Sequence, residues 1–259
     1  MADIVDNSTP VISKSSIKRL IKDIKEVKND PLKDIFYRHS ETDMLKGSAL
    51  IIGPENTPYH GGYYLFSFQF PHDYPHSPPK LEFLTGDGIT RLHPNLYKNG
   101  KVCLSILNTW NGDSWTGCQT ISSVLLTIQS IFTNNPLINE PGITHIHKDF
   151  YDYTEIIRFQ NIVVSTLAVV NNSDNRYSNF ENLIKIARED FLKNYEDKIR
   201  IFELSKKEYD SFKNNNEINK TKEITCSIYK MSCNIDYHTV KSLFNLVKEK
   251  ILLLDIDKN

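Results

Sequence analysis

Cys103 follows Asn95 by eight residues in the run His93-Pro94-Asn95-Leu96-Tyr97-Lys98-Asn99-Gly100-Lys101-Val102-Cys103-Leu104-Ser105. A thiol is the one side chain in this stretch that both attacks an acyl group and releases it again easily. An unperturbed cysteine titrates near ~8.5, so a few per cent is thiolate at neutral pH. Exchange with another thioester suits such a thiol, because the leaving thiolate needs no general acid. Pro94 presets a turn and restricts His93 to an extended backbone. Asn95 then brings a side-chain amide close to the nucleophile. When an amine attacks a thioester, the carbonyl oxygen gains charge, and a positioned amide N–H stabilises it by ~2.7–4 kcal/mol where such donors have been removed. The same amide would also hold the loop through backbone hydrogen bonds. His93 invites a Cys–His dyad, the arrangement of a cysteine hydrolase. Adjacency in sequence does not make a dyad, and nothing supplies an orienting third group. A turn histidine bonded to local backbone is the better reading.

These residues must be carried by elements that the hydropathy pattern outlines. Ile17, Leu20, Ile21, Ile24 and Val27 make a helical stripe. Ser15 or Ser16 is available as its N-cap, and Pro31 stops it. Lys18, Arg19, Lys22 and Lys25 cover its other face. Strands are expected at 34–40, 45–53, 63–70 and 80–84. In the third, Tyr64, Phe66, Phe68 and Phe70 alternate with Tyr63, Leu65, Ser67 and Gln69, the period of a strand with one strongly buried face. Short Gly/Pro loops between sequential strands imply an antiparallel meander. Ile121, Val124, Leu125, Ile128, Ile131 and Phe132 predict a buried helix over 120–132, backing the sheet behind the nucleophile. Helical patterns recur at 148–171, 179–208 and 238–255, separated by polar linkers at 171–178 and 211–223. Every Gly and Pro lies at or before Gly142, so a turn-rich α+β front gives way to a helical back.

The 259 residues allow one large domain with a substantial annex. At 39% apolar and 24% charged the composition is that of a globular protein, and a formal charge of -1 gives no reason to expect nucleic acid as a partner. No apolar run approaches a membrane span, and the N-terminus does not read as a signal peptide. The 4 cysteines form no CxxC pair and no metal spacing with His. The expectations are therefore no cofactor, no metal, no membrane association, and a reducing compartment, cytoplasm or nucleus.

Further motifs frame the nucleophile. Upstream stand Gly53-Pro54, Thr57-Pro58-Tyr59 and Gly61-Gly62, then Phe70-Pro71, Tyr74-Pro75 and Pro78-Pro79; downstream stand Trp115, Asn135-Pro136 and Glu140-Pro141-Gly142. Their order, with His93-Pro94-Asn95 and Cys103, resembles the ubiquitin-conjugating enzyme family over residues 15–170. The longer segment between Cys103 and Trp115, the Gly86-Asp87-Gly88 insertion and the C-terminal extension resemble the branch of that family named Z.

The resemblance implies a UBC fold: a four-stranded antiparallel meander flanked by helices, plus a helical extension. The division expected is a tail over 1–13, a catalytic domain over 14–172 and the extension over 173–259. It implies a monomeric transferase that takes ubiquitin or a ubiquitin-like modifier from an activating enzyme as a thioester on Cys103. The modifier then passes to a protein substrate's lysine or to a ligase. Asn95 and Glu140 would be the other catalytic groups, Glu140 orienting and desolvating the acceptor lysine as the family's acidic loop residue does. His93, Pro94, Leu104, Ser105 and Asn139 would support them. Lys18, Arg19, Lys22, His76 and Thr116 fall on the surface where the family binds activating enzyme and ligase. The chain departs from the family pattern at Ser105, commonly acidic, at His76, often aromatic, and at Thr116-Gly117-Cys118, often Ser-Pro-Ala. The alternatives are a catalytically silent ubiquitin-binding adaptor of the same fold and, less favoured by the residues, the cysteine hydrolase.

Overall fold

The computed structural model describes residues 12–215 and 223–256. The expected tail thus lies almost wholly outside the described residues, as does most of the second polar linker. Helix α1 (Lys14–Asn29) starts one turn earlier than its apolar stripe suggests, because Ser13 is the cap: its Oγ accepts from Ser16 N at 3.0 Å. Strands β1 (Ile35–His39), β2 (Lys46–Ile52), β3 (Tyr63–Gln69) and β4 (Lys80–Phe83) form the antiparallel meander β1-β2-β3-β4, with Leu50 opposite Leu65 and Phe66 opposite Phe83. Helix α2 (Ile121–Ile131) opens with a capping box between Thr120 and Ser123 and buries Ile121, Val124, Leu125 and Ile128.

The third strand differs from the one-faced pattern its sequence suggests. Tyr63, Tyr64, Leu65 and Phe66 are all buried. Tyr64 lies 4.5 Å, ring to ring, from Phe132 at the end of α2, and its hydroxyl donates to Asn161 Oδ1 at 2.6 Å. Tyr63 points the other way, donating to Asp190 Oδ2 at 2.7 Å. The second face is covered because the C-terminal region folds back onto the sheet. Gly62 beside Tyr63 has to be glycine: a Cβ there would meet Asn161 Oδ1 at 1.9 Å.

After Gly142 the chain runs through α3 (Phe150–Gln160), a π-helical stretch (Asn161–Ala168) and α4 (Val169–Asn171) as one long element. The stripe expected as one helix over 179–208 is two, α5 (Glu181–Lys193) and α6 (Tyr195–Asn215). They break at Asn194, whose side chain donates to Asp190 Oδ1 at 2.7 Å. The break lets Lys198 of α6 donate to the Gly61 carbonyl at 2.8 Å and pair with Asp190 at 3.0 Å. Burial lowers the Lys198 pKa, and the Asp190 carboxylate works against that. Phe191, Phe202 and Phe244 of α7 (Tyr237–Ile256) pack together, and the buried apolar residues of front and back join in one core.

The back is not wholly helical. Strands β5 (Glu223–Cys226) and β6 (Met231–Asn234) pair as a hairpin, Ile224 opposite Cys233. Its turn contains no glycine; Lys230 takes the positive φ of 48°. No described helix is long and apolar enough to cross a membrane.

Candidate active site

The nucleophile's segment is built by reciprocal bonds with the turn before it. Cys103 N donates to the Asn95 carbonyl at 2.9 Å, and Asn95 Nδ2 donates to the Cys103 carbonyl at 2.8 Å. Asn95 is thus brought onto Cys103 as its spacing suggests. One of its two amide N–H donors holds the loop. Asn95 Oδ1 is buried without a partner. Leaving a buried acceptor unpaired costs about 1–3 kcal/mol, and here that strain sits beside the nucleophile.

His93 is fully buried and both ring nitrogens are engaged. Nδ1 accepts from Asn95 N at 3.0 Å, so the proton sits on Nε2, which donates to the Ile131 carbonyl at 2.9 Å. Burial holds its pKa down to about 3, with the Ile131 bond opposing and Arg91 adding to the shift. No bond joins the imidazole to the Cys103 thiol. His93 is a joint between the turn and the end of α2, and the geometry of a hydrolase dyad is absent.

Cys103 itself is only 1% exposed. The sequence suggests a reachable thiol; the structure folds the segment back on itself. Thr109 Oγ1 accepts from Leu104 N at 2.9 Å and donates to the Val102 carbonyl at 2.8 Å. Asn108 Oδ1 accepts from Trp115 N at 2.8 Å and closes the loop between them. Leu104 is buried and Ser105 begins a single 3-10 turn. Among the described residues no group of three or more His, Cys, Asp or Glu is placed to hold a metal.

The loop after α2 meets the same turn. Asn139 Nδ2 lies 3.4 Å from His93 Nε2 and donates to the Pro136 carbonyl at 3.1 Å. Glu140 follows it, with Oε2 accepting the Tyr229 hydroxyl at 2.6 Å. Pro94 is buried, and its carbonyl and that of His93 accept from Arg91 at 2.5 and 3.1 Å.

A second surface gathers α1 and two loops. Lys18, Lys22, His76 and Thr116 are exposed. Trp115 Nε1 donates to the Pro75 carbonyl at 2.7 Å, tying the loop of His76 to that of Thr116. Arg19 corrects the uniform basic face. It bonds Asp23 at 2.8 Å and the Gly117 and Gln119 carbonyls at 2.5 Å each, pinning the Trp115 loop to the helix. Asp23 in turn accepts the Tyr74 hydroxyl at 2.5 Å.

Sequence reasoning missed Arg91, Thr109 and Tyr229. Arg91 carried a weak signal, a cation two residues before His93, between Thr90 and Leu92. Tyr229 stands between Ile224/Cys226 and Met231/Cys233, whose alternation marks the hairpin.

Comparison with known proteins identifies the family. A sequence model of the family described as ubiquitin-conjugating enzyme matches residues 19–165, and the chain belongs to that family. Ubiquitin-conjugating enzyme E2 Z of Danio rerio is 42% identical over 187 residues, 71% of this chain and 56% of the relative. That of Homo sapiens is 46% identical over 150 residues, 57% of this chain and 42% of the relative. Probable ubiquitin-conjugating enzyme E2 26 of Arabidopsis thaliana is 42% identical over 135 residues, 50% of this chain and 24% of the relative. The similarity therefore places the chain with the Z branch, and it spans about half the length of the Z relatives it matches.

Proposed function

We propose that the chain is a ubiquitin-conjugating transferase with Cys103 as its acyl carrier. The Cys103 thiolate attacks the thioester between an activating enzyme and ubiquitin or a ubiquitin-like modifier. A new C–S bond forms and the activating enzyme's thiolate leaves. A substrate lysine, having lost its proton, then attacks the carbonyl carbon. The oxyanion forms beside Asn95, the Cys103 thiolate departs and an amide remains. With a ligase that carries its own cysteine, the second step is a further thiol exchange. The observation that carries this reading is the mutual bonding of Asn95 and Cys103, which sets a side-chain amide against the nucleophile's carbonyl.

Glu140 is the acceptor-side carboxylate in this reading, and Lys18, Lys22, His76 and Thr116 present the face for activating enzyme and ligase. The proposed division is a catalytic domain over 14–172 and an extension over 173–259, acting as a monomer in cytoplasm or nucleus. The 4 free cysteines support a reducing compartment.

The test is to charge the purified chain with activating enzyme, ATP and ubiquitin, and then chase with free lysine. A reductant-sensitive adduct that discharges to lysine is expected. Asn95→Ala should slow discharge by about 100-fold or more while sparing charging, since only aminolysis develops the oxyanion to be stabilised. Equal loss of both steps in a folded variant would leave Asn95 as a loop holder alone.

A further inference from the structure

The turn of the C-terminal hairpin is anchored in two places, one of them on the loop that carries Glu140. Asp149, just before α3, fixes the turn itself: its Oδ2 accepts from Ser227 Oγ at 2.6 Å and from Ile228 N at 2.9 Å. Tyr229, the next residue, then reaches the acceptor loop, donating its hydroxyl to Glu140 Oε2. Its ring lies 5.4 Å from that of Tyr153. The Arg91 guanidinium sits 5.3 Å from the Tyr229 ring and 3.2 Å from that of Tyr97. Arg91 is the group that bonds the His93 and Pro94 carbonyls, and its own carbonyl accepts the Tyr153 hydroxyl at 2.8 Å. One turn of the extension thus touches the acceptor loop directly and the His93–Asn95 turn through a buried cation.

We propose that Tyr229 is a positioning residue for the acceptor lysine, acting through Glu140. This rests on the reading of Glu140 as the acceptor-side carboxylate. A glutamate on a loop has free torsions, and a carboxylate that wanders cannot orient an amine. A misplacement of about 1 Å lowers such rates by as much as ~100-fold. The phenol fixes one oxygen and adds no charge. No described residue bonds Glu140 Oε1, so that oxygen is open to an incoming ammonium. A carboxylate accepts at about four lone-pair sites, so the Tyr229 bond does not block the amine. The extension then contributes a side chain to amine transfer and none to thiol exchange, where no lysine has to be oriented.

The test uses the full chain charged with ubiquitin and chased in single turnover, with free lysine and separately with free cysteine, whose first step is thiol exchange. Tyr229→Phe keeps the ring and removes only the hydroxyl. It should slow lysine discharge about tenfold, with charging and cysteine discharge unchanged and the melting temperature lowered by no more than a few degrees. Glu140→Gln should slow lysine discharge at least as much, and the double variant no more than Glu140→Gln alone. Slow Glu140→Gln with normal Tyr229→Phe would overturn the role of Tyr229 and leave that of Glu140 standing. Additive losses, or equal loss toward lysine and cysteine in Tyr229→Phe, would show that Tyr229 acts by another route and sink the proposal. A normal rate in Glu140→Gln would remove both assignments.

Discussion

Glycine and proline punctuate the chain as far as Gly142 and are absent beyond it, and the two regions place their side chains by different means. In the front, irregular backbone is held by short polar bonds: His93 to Ile131, Asn95 to Cys103, Thr109 to Leu104, Arg19 to Gly117. In the back, helices are placed by buried rings such as Phe191, Phe202 and Phe244. Side-chain hydrogen bonds also cross between the regions. Lys198 on Gly61, Tyr63 on Asp190 and Tyr229 on Glu140 are among them. Loops fixed by polar bonds can be opened one bond at a time. A region fixed by apolar burial is lost as a unit.

Removing the back breaks the comparison most severely. Ending the chain after Asn172 uncovers Val169, Val170 and Tyr63 and leaves Asn161 at a seam without its covering helices. The product should be insoluble or should expose apolar surface to a reporter dye. A soluble product with a cooperative melt and normal charging would mean that the front stands alone.

A smaller effect sharpens the account of the front. Folded His93 titrates near about 3, against about 6.5 unfolded. From pH 6.5 down toward 3 the unfolded chain takes up a proton that the folded chain refuses. Unfolding free energy should therefore fall with pH, by up to ~1.4 kcal/mol per unit from this group. Denaturant titrations of the parent and His93→Asn between about pH 6.5 and pH 5 should give a shallower limb for the variant. Parallel limbs would mean that His93 is not held neutral.

The smallest effect belongs to the exposed helix face. Lys18→Glu with Lys22→Glu should slow charging by roughly three- to tenfold at low salt, and the difference should shrink as salt rises, because an exposed basic face steers an acidic partner. Charging rates indifferent to both would reduce that face to solvated charge. Arg19 is left out of this test, since reversing it would release the Trp115 loop.

The four strands, α2 and α7 were legible to within about two residues at most ends, because their apolar residues repeat at 2.0 or 3.6 and tertiary packing agrees with that period. The contacts among His93, Asn95 and Cys103 in the candidate site were legible because these residues lie within one short run. The break at Asn194 was not, since an amide is as common inside a helix face as at a break until its partner, Asp190, is known. Burial of both faces of β3 was hidden because Tyr63 and Leu65 were read against a sheet alone, before any helix could be docked on it. The hairpin was hidden by a turn with no glycine. Through it the partnership of Tyr229 and Glu140 was hidden too, because contacts across long sequence separations leave no local periodicity.

The most direct test is to locate the adduct. The chain is charged with ubiquitin, quenched in acid without reductant and digested, and the modified peptide is identified by mass. The account predicts a thioester on Cys103 alone, lost in Cys103→Ala and replaced in Cys103→Ser by an adduct that survives reductant. Burial pushes the Cys226 and Cys233 thiols up to about 11, which argues against either as nucleophile. Exposed Cys118 is the informative competitor. An adduct on Cys118, or undiminished charging in Cys103→Ala, would contradict the account.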